Sequence, residues 1–394
     1  MSKCREAAVH SPNLATIDHI MVFEGEDCVG AGAAIDRLSP QALLTPFQRR
    51  SWLDQWQHLL GSPNGWRAVT IVGYRGTEPL IVLPMCLRSN RLLRQLCWRA
   101  DDLNDYCAPL IHRQFLGSFD HAGLRQIIRA AAEAIGGADL VYLQKQPQQL
   151  AAFPNPFVGS HAIAYHAGAH STVLSPNWDD YFKSKRSAKT RRRLKEKLAA
   201  LSKLGPVEMG IADSVPEATR LVGTCLDMKS DQLRKIGHRN PFHDPGTRAF
   251  LMDYFGGRIA QDTWVAALHV GGQPAAIAFG FRDPQSWLLY QTAMTDGRLG
   301  RLSPGTHLLM HVLKHCCEQG VGEFDLSLGE EAYKAEWCER SATLMTEVFG
   351  ISARGQIYSH LIRARVRASR WISSRPALYE IAKQAKGWIE AIRR

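Results

Sequence analysis

The stretch Trp287–Cys317, WLLYQTAMTDGRLGRLSPGTHLLMHVLKHCC, changes its hydrophobic period halfway along. Trp287–Met294 is a run of aromatic, aliphatic and β-branched residues of strand length. Leu308, Leu309, Val312, Leu313 and Cys316 then recur at helical spacing. Pro304 suits the first helical position and Gly320 the end, which leaves Thr295–Ser303 as the connection. A strand feeding through such a loop into a helix N-terminus presents free backbone N–H groups and the positive end of the helix dipole, an arrangement that takes anions. Arg298 and Arg301 add charge, Gly300 and Gly305 allow close approach, and Ser303 and Thr306 supply hydroxyls, so pyrophosphate is the natural guest. The segment has neither the Gly-Lys-Ser/Thr of a Walker loop nor a GxGxxG fingerprint.

Upstream, Trp264–Val270 and Ala275–Arg282 form a hairpin around Gly271-Gly272, and Glu323–Leu328 is a further strand. The first half has the same grammar: a helix over Pro46–Leu60, strands over Arg67–Tyr74 and Pro79–Arg88, a helix over His121–Ala134 and a strand over Leu140–Gln144. Each half reads helix, antiparallel strands, helix, strand, an α/β pattern of mixed, mostly antiparallel sheets flanked by helices. Pro147, Pro154 and Pro156 punctuate the join. The expected divisions are a loose N-terminal extension (1–38), a first domain (39–172), a second domain (173–352) and a basic helical tail (353–394). The 394 residues, 45% hydrophobic and 22% charged, accommodate two cores and exclude a disordered or collagen-like chain.

The formal charge of +11 is concentrated. Tyr181–Lys203 carries a net +9 and Arg354–Arg394 a net +8, leaving about −6 for the rest. The first segment reads as one amphipathic helix with Leu194, Leu198 and Leu201 on its apolar stripe and Asp179 or Asp180 as cap. Such faces suit phosphates, anionic headgroups or simply solvent; nucleic acid is disfavoured because no aromatic-studded RNA motif accompanies the charge. Nine cysteines without metal spacing, on a chain whose N-terminus lacks an apolar signal region, are expected to be reduced thiols in a cytoplasmic protein. His307 and His311 are four apart but lack a glutamate between them and a third ligand, so no metal is expected.

Downstream of the helix, FDLSLGEEAYKAEW places Asp325 in a strand and Glu330, Glu331, Tyr333 and Lys334 where the chain leaves it at Gly329. TAMTDGRLGRLSPGTHLL together with this segment resembles the CelD/BcsL family, acetyltransferases of the GNAT fold distantly similar to FemABX peptidyl transferases. PFQRRSWLDQW, PLIVLPMCLR and DLNDYCAPLI resemble that family's N-terminal domain. The resemblance, over about 40–350, implies two GNAT-like domains, the second an acyltransferase using acetyl-CoA or another acyl-CoA as cosubstrate.

It also implies a small-molecule, glycan or peptide acceptor and a setting in exopolysaccharide or envelope synthesis; a peripheral membrane contact through the basic tail is expected from its charge alone. The Arg298–Thr306 loop would then take the pyrophosphate, and Lys334 would pair with the donor's phosphates or stabilise the developing oxyanion. Acyl transfer needs an acid for the departing thiolate and a base for the nucleophile. Tyr333 is the expected acid, and Glu330 or Asp325 the base. Lys229, Asp231, Arg234, His238, Asp105 and Tyr106 are candidates on the acceptor side. FemABX relatives offer an alternative, aminoacyl transfer from a charged tRNA; a non-catalytic scaffold at a membrane surface is the other.

Overall fold

The computed structural model describes residues 4–9, 16–26, 28–237 and 240–373. In the first half the strands are β1 (Arg5–Val9), β2 (His19–Glu24), β3 (Arg67–Arg75), β4 (Glu78–Ser89), β5 (Arg94–Trp98), β6 (Leu110–Ile111) and β7 (Leu140–Pro147). A two-stranded ribbon, β8 (Gln149–Leu150) and β9 (Phe153–Pro154), precedes β10 (Ile163–Val173). The second half adds β11 (Val207–Ile211), β12 (Thr263–Val270), β13 (Gln273–Arg282), β14 (Ser286–Met294), β15 (Glu323–Leu328) and β16 (Arg340–Gly350). The helices are α1 (Val29–Leu38), α2 (Arg50–Trp56), α3 (His121–Ala134), α4 (Trp178–Lys185), α5 (Ala188–Ser202), α6 (Val215–Lys235), α7 (Pro245–Leu251), α8 (Gly297–Gly300), α9 (Pro304–Glu318), α10 (Ala332–Trp337) and α11 (Ala353–Ser373).

All strands except the ribbon belong to one mixed, mostly antiparallel sheet, ordered β1-β2-β3-β4-β5-β7-β16-β10-β15-β14-β13-β12-β11, with β6 on β4. The halves exchange their last strands: β16 lies against β7, and β10 lies between β16 and β15. The join expected at 172/173 therefore falls at the end of β10, inside the one continuous sheet. Between the halves runs one aromatic cluster. Phe47 and Trp52 of the first half meet Phe250, Tyr254, Phe281 and Tyr290 of the second, with Trp52 to Phe250 at 4.8 Å and Phe47 to Phe281 at 5.2 Å. Arg49 adds ion pairs to Asp262 (3.0 Å) and Asp283 (2.5 Å).

Three expectations are corrected. The described residues before 39 supply β1, β2 and α1 rather than a loose extension, because the alternating apolar side chains of β2 (Ile20, Val22) are buried in a core with Leu124, Ile127 and Ile128 of α3. Cys4 and Cys28 form a disulfide, so not every cysteine is a free thiol. The basic segment is two helices, α4 and α5, parted at Arg186–Ser187. Asn177 caps the first by accepting from Asp179 and Asp180 N–H, and Ser187 caps the second. Of the basic tail, Ala353–Ser373 is helical and the remainder lies outside the described residues. Among the described residues no helix is long and apolar enough to cross a membrane.

Candidate functional site

Strands β14 and β15 run parallel, but they pair only over Ser286–Leu288 and Glu323–Asp325. Beyond that point they part, and the wedge between them opens into a cleft of about 550 Å³. The parting has a local cause. β13 and β14 slip register at Phe279/Gly280, and a side chain on Gly280 would overlap the Leu288 carbonyl, so only glycine fits there. The Trp264 indole N–H donates to the Phe281 and Leu288 carbonyls (3.0 and 3.2 Å) and closes the apex.

Past the apex, β14 lacks a neighbour on that side, and side chains stand in for the missing strand. Gln291 Oε1 accepts from Thr292 N–H (3.0 Å), and Gln232 Nε2 donates to the Met294 carbonyl (2.8 Å). Backbone groups satisfied this way can be handed over to an extended amide-bearing ligand. One wall of the cleft is α9, through Gly305, Thr306, Leu309 and Val312; the opposite wall is Leu326–Leu328 with Glu331, Tyr333 and Lys334. Ser303, before α9, is held at φ +60°, and its Oγ accepts from Lys197 Nζ (2.7 Å).

The first half reaches into this site through the loop between β5 and β6. Asp105 lines the cleft and accepts from the Ser327 hydroxyl (2.6 Å). The Tyr106 hydroxyl donates to Asp325 Oδ1 (2.8 Å), which also takes Ser327 N–H (2.6 Å), and Tyr290 donates to the Leu103 carbonyl (3.0 Å). Burial raises the pKa of Asp325 to about 7, against the pull of those two hydrogen bonds. Burial likewise lifts Asp105, opposed by Lys145 and Ser327. Burial and then Glu331 push the Tyr333 phenol up, so it keeps its proton and can donate.

The structure brings some expected residues together and parts others. Tyr333, Lys334, Gly305, Thr306, Lys229 and Asp105 share the cleft. Asp325 and Tyr106 stand behind Ser327 and Asp105 as a bonded pair. Glu330 is corrected: it is exposed and accepts from Gly168 N–H (2.6 Å), because the positive φ of Gly329 turns the chain away from the cleft there. Lys334, expected at the donor's phosphates or the oxyanion, lines the cleft. Its buried ammonium donates to the Leu328 and Ser327 carbonyls (2.6 and 3.4 Å) and pairs with Glu331 (3.1 Å), holding the turn into α10.

Arg298 and Arg301 are exposed, and neither they nor Gly300 and Ser303 line the cleft. Asp231 and Arg234 form an exposed ion pair (2.7 Å) outside it, and His238 lies outside the described residues. The strand stand-ins Gln232 and Gln291 escaped the sequence reading. For Ser327 the alternation Asp325-Leu326-Ser327 was an available signal of two polar groups on one face.

Residues 188–335 match the acetyltransferase (GNAT) domain family. No curated protein matches the chain. Among solved structures, FemX is 11% identical, covering 84% of this chain and 98% of that one at a TM-score of 0.54. L-PGS from Bacillus licheniformis is 10% identical over 87% and 98% of the two chains (TM-score 0.49). A tandem GNAT protein from the clavulanic acid biosynthesis pathway is 13% identical over 89% and 99% (TM-score 0.43). The likeness to FemX covers both halves and is one of fold. The chain has a GNAT-like fold, and the stretch of its second half from 188 to 335 matches an acetyltransferase (GNAT) domain.

Proposed function

We propose that the protein transfers an acyl group, acetyl in the simplest case, from coenzyme A to an amine or hydroxyl acceptor in the wedge between β14 and β15. The observation that carries this reading is the wedge itself: two parallel strands that part after three residue pairs, with the first turn of α9 on one wall and Tyr333 on the other. An acyl-CoA fits the donor set. Its amide-bearing arm would take over Thr292 N–H and the Met294 carbonyl from Gln291 and Gln232. Its pyrophosphate would meet Gly305 N–H, the Thr306 hydroxyl and the exposed guanidinium groups of Arg298 and Arg301.

Asp105, delivered from the first half and raised by burial, accepts the proton of the attacking amine or hydroxyl. Tyr333, kept protonated, gives its proton to the departing thiolate. Asp325 and Tyr106 hold Ser327 and the loop bearing Asp105 in place. An acceptor enters from the side of that loop. The CelD/BcsL resemblance supports an exopolysaccharide or envelope acceptor. Calorimetric titration with acetyl-CoA, longer acyl-CoAs and free coenzyme A tests the reading. Saturable binding that weakens in Arg301→Ala is expected, and absence of binding to every coenzyme A species by folded protein overturns it.

A further inference from the structure

The basic helices α4 and α5 take no part in the chemistry above, yet they frame a second concavity of about 620 Å³ against α9. Its floor is aromatic: Trp178 and Phe182 stack at 5.1 Å with planes 11° apart, and Trp337 continues the stack at 6.3 Å. Its rim carries Lys183, Arg191, Arg192 and Lys195 against one acid, Asp179. Lys183 and Lys195 are exposed and pair with no carboxylate among the described residues. On the α9 side stands His307, 3% exposed, with Nε2 lacking any partner among the described residues.

The Leu302 carbonyl lies beside the ring, and Nε2 is the nitrogen left to meet a ligand. Burial and then Lys197 keep the ring neutral. A merely solvated basic face gives no reason for a buried ring nitrogen to stay unpaired.

Resting on the acyl-CoA reading, we propose that this groove holds the nucleotide end of the donor: the purine on the Trp178–Phe182 shelf, its amine toward His307, and the ribose phosphate among Lys183, Arg191, Arg192 and Lys195. Continuity with the wedge supports this occupant. His307 follows Thr306 of the cleft wall, and Lys197 of α5 bonds Ser303 at the start of the same helix turn. A donor whose thioester lies in the wedge and whose pyrophosphate lies at α9 must send its nucleotide out past that turn. Stacking on aromatic faces and cation–phosphate contact are the two forces such a ligand uses.

Calorimetry on the whole protein separates the claims, with acetyl-CoA, acetyl-phosphopantetheine (which ends before the nucleotide) and the adenosine bisphosphate fragment of coenzyme A as probes. Lys183→Glu/Lys195→Glu, both on exposed positions, is expected to weaken acetyl-CoA and the bisphosphate fragment by about tenfold and leave acetyl-phosphopantetheine unchanged. Equal affinity of wild type and variant for acetyl-CoA overturns the groove while leaving the wedge intact. An equal loss for acetyl-phosphopantetheine overturns it as well, since the effect is then not confined to the nucleotide. Failure of wild type to bind either acetylated probe overturns the acyl-CoA reading and the groove's role with it. Charge-dependent retention of tRNA in place of the small probes overturns both in favour of a nucleic-acid donor.

Discussion

The molecule contains the same strand divergence twice. In the first half β5 and β7 run parallel over Gln95–Cys97 and Leu140–Tyr142 and then separate, as β14 and β15 do in the second. The first divergence is plugged. Lys145, buried and at φ +57°, fills it and donates to the Asp101 and Asn104 carbonyls (2.9 and 2.7 Å), while its own carbonyl takes Cys107 N–H (2.9 Å). Arg88 and Gln144 engage the buried Asp101, and Trp52 donates to Asn104 (2.7 Å). The second divergence has glutamine side chains where a strand would be, and a cleft. The loop that seals the first wedge carries Asp105 and Tyr106 into the second. One half has given up its own opening and become a wall of the other's.

The largest effect that sharpens this comparison is expected at Gly280. Gly280→Ala drives a methyl onto the Leu288 carbonyl at the apex of the open wedge and should cost at least about 3 kcal/mol in urea unfolding, with loss of donor binding. Next comes the plug. Lys145→Met leaves two buried carbonyls without their donor and should cost about 2–4 kcal/mol, and it should also lower transfer activity because the loop bearing Asp105 is loosened. A variant as stable and active as wild type breaks the comparison.

Within the open wedge, Asp105→Asn and Tyr333→Phe should each lower turnover by about a hundredfold while acetyl-CoA affinity stays within a factor of about three, read by calorimetry beside the transfer assay.

Asp325 gives a pH signature. Its carboxyl titrates at about 7 in the folded protein, above its unfolded value, so the native state binds the extra proton. The stabilisation is present at low pH and is lost as pH rises through the folded value. The thermal unfolding temperature should therefore fall from about pH 5 to pH 8 more in wild type than in Asp325→Asn. The smallest effect is expected at Glu330, where Glu330→Gln should change turnover by less than about threefold, since the carboxylate faces solvent.

Segments with a local hydrophobic period were legible in both halves, α3 over His121–Ala134 as much as the elements of the second half. Hydrophobic period and proline–glycine punctuation located the hairpin at Gly271-Gly272, β14, α9 and β15 within a few residues, because those segments bury one face each. Tyr333, Gly305 and Thr306 were likewise readable, since the strand–loop–helix order puts them at one end of the sheet. Long-range pairing was not. That β16 inserts beside β7, that Cys4 meets Cys28, and that Lys145 plugs the first wedge are tertiary facts with no local period. Glu330 misled for the opposite reason: it is next to the site in sequence, and one glycine turns it outward.

Native mass spectrometry with acetyl-CoA tests most directly the claim that one wedge works and the other is sealed. One bound donor per chain is predicted, lost when Thr306→Trp fills the mouth of the cleft and kept when the exposed Glu330 is changed to Gln. Two donors per chain, or one that persists in Thr306→Trp, would contradict it.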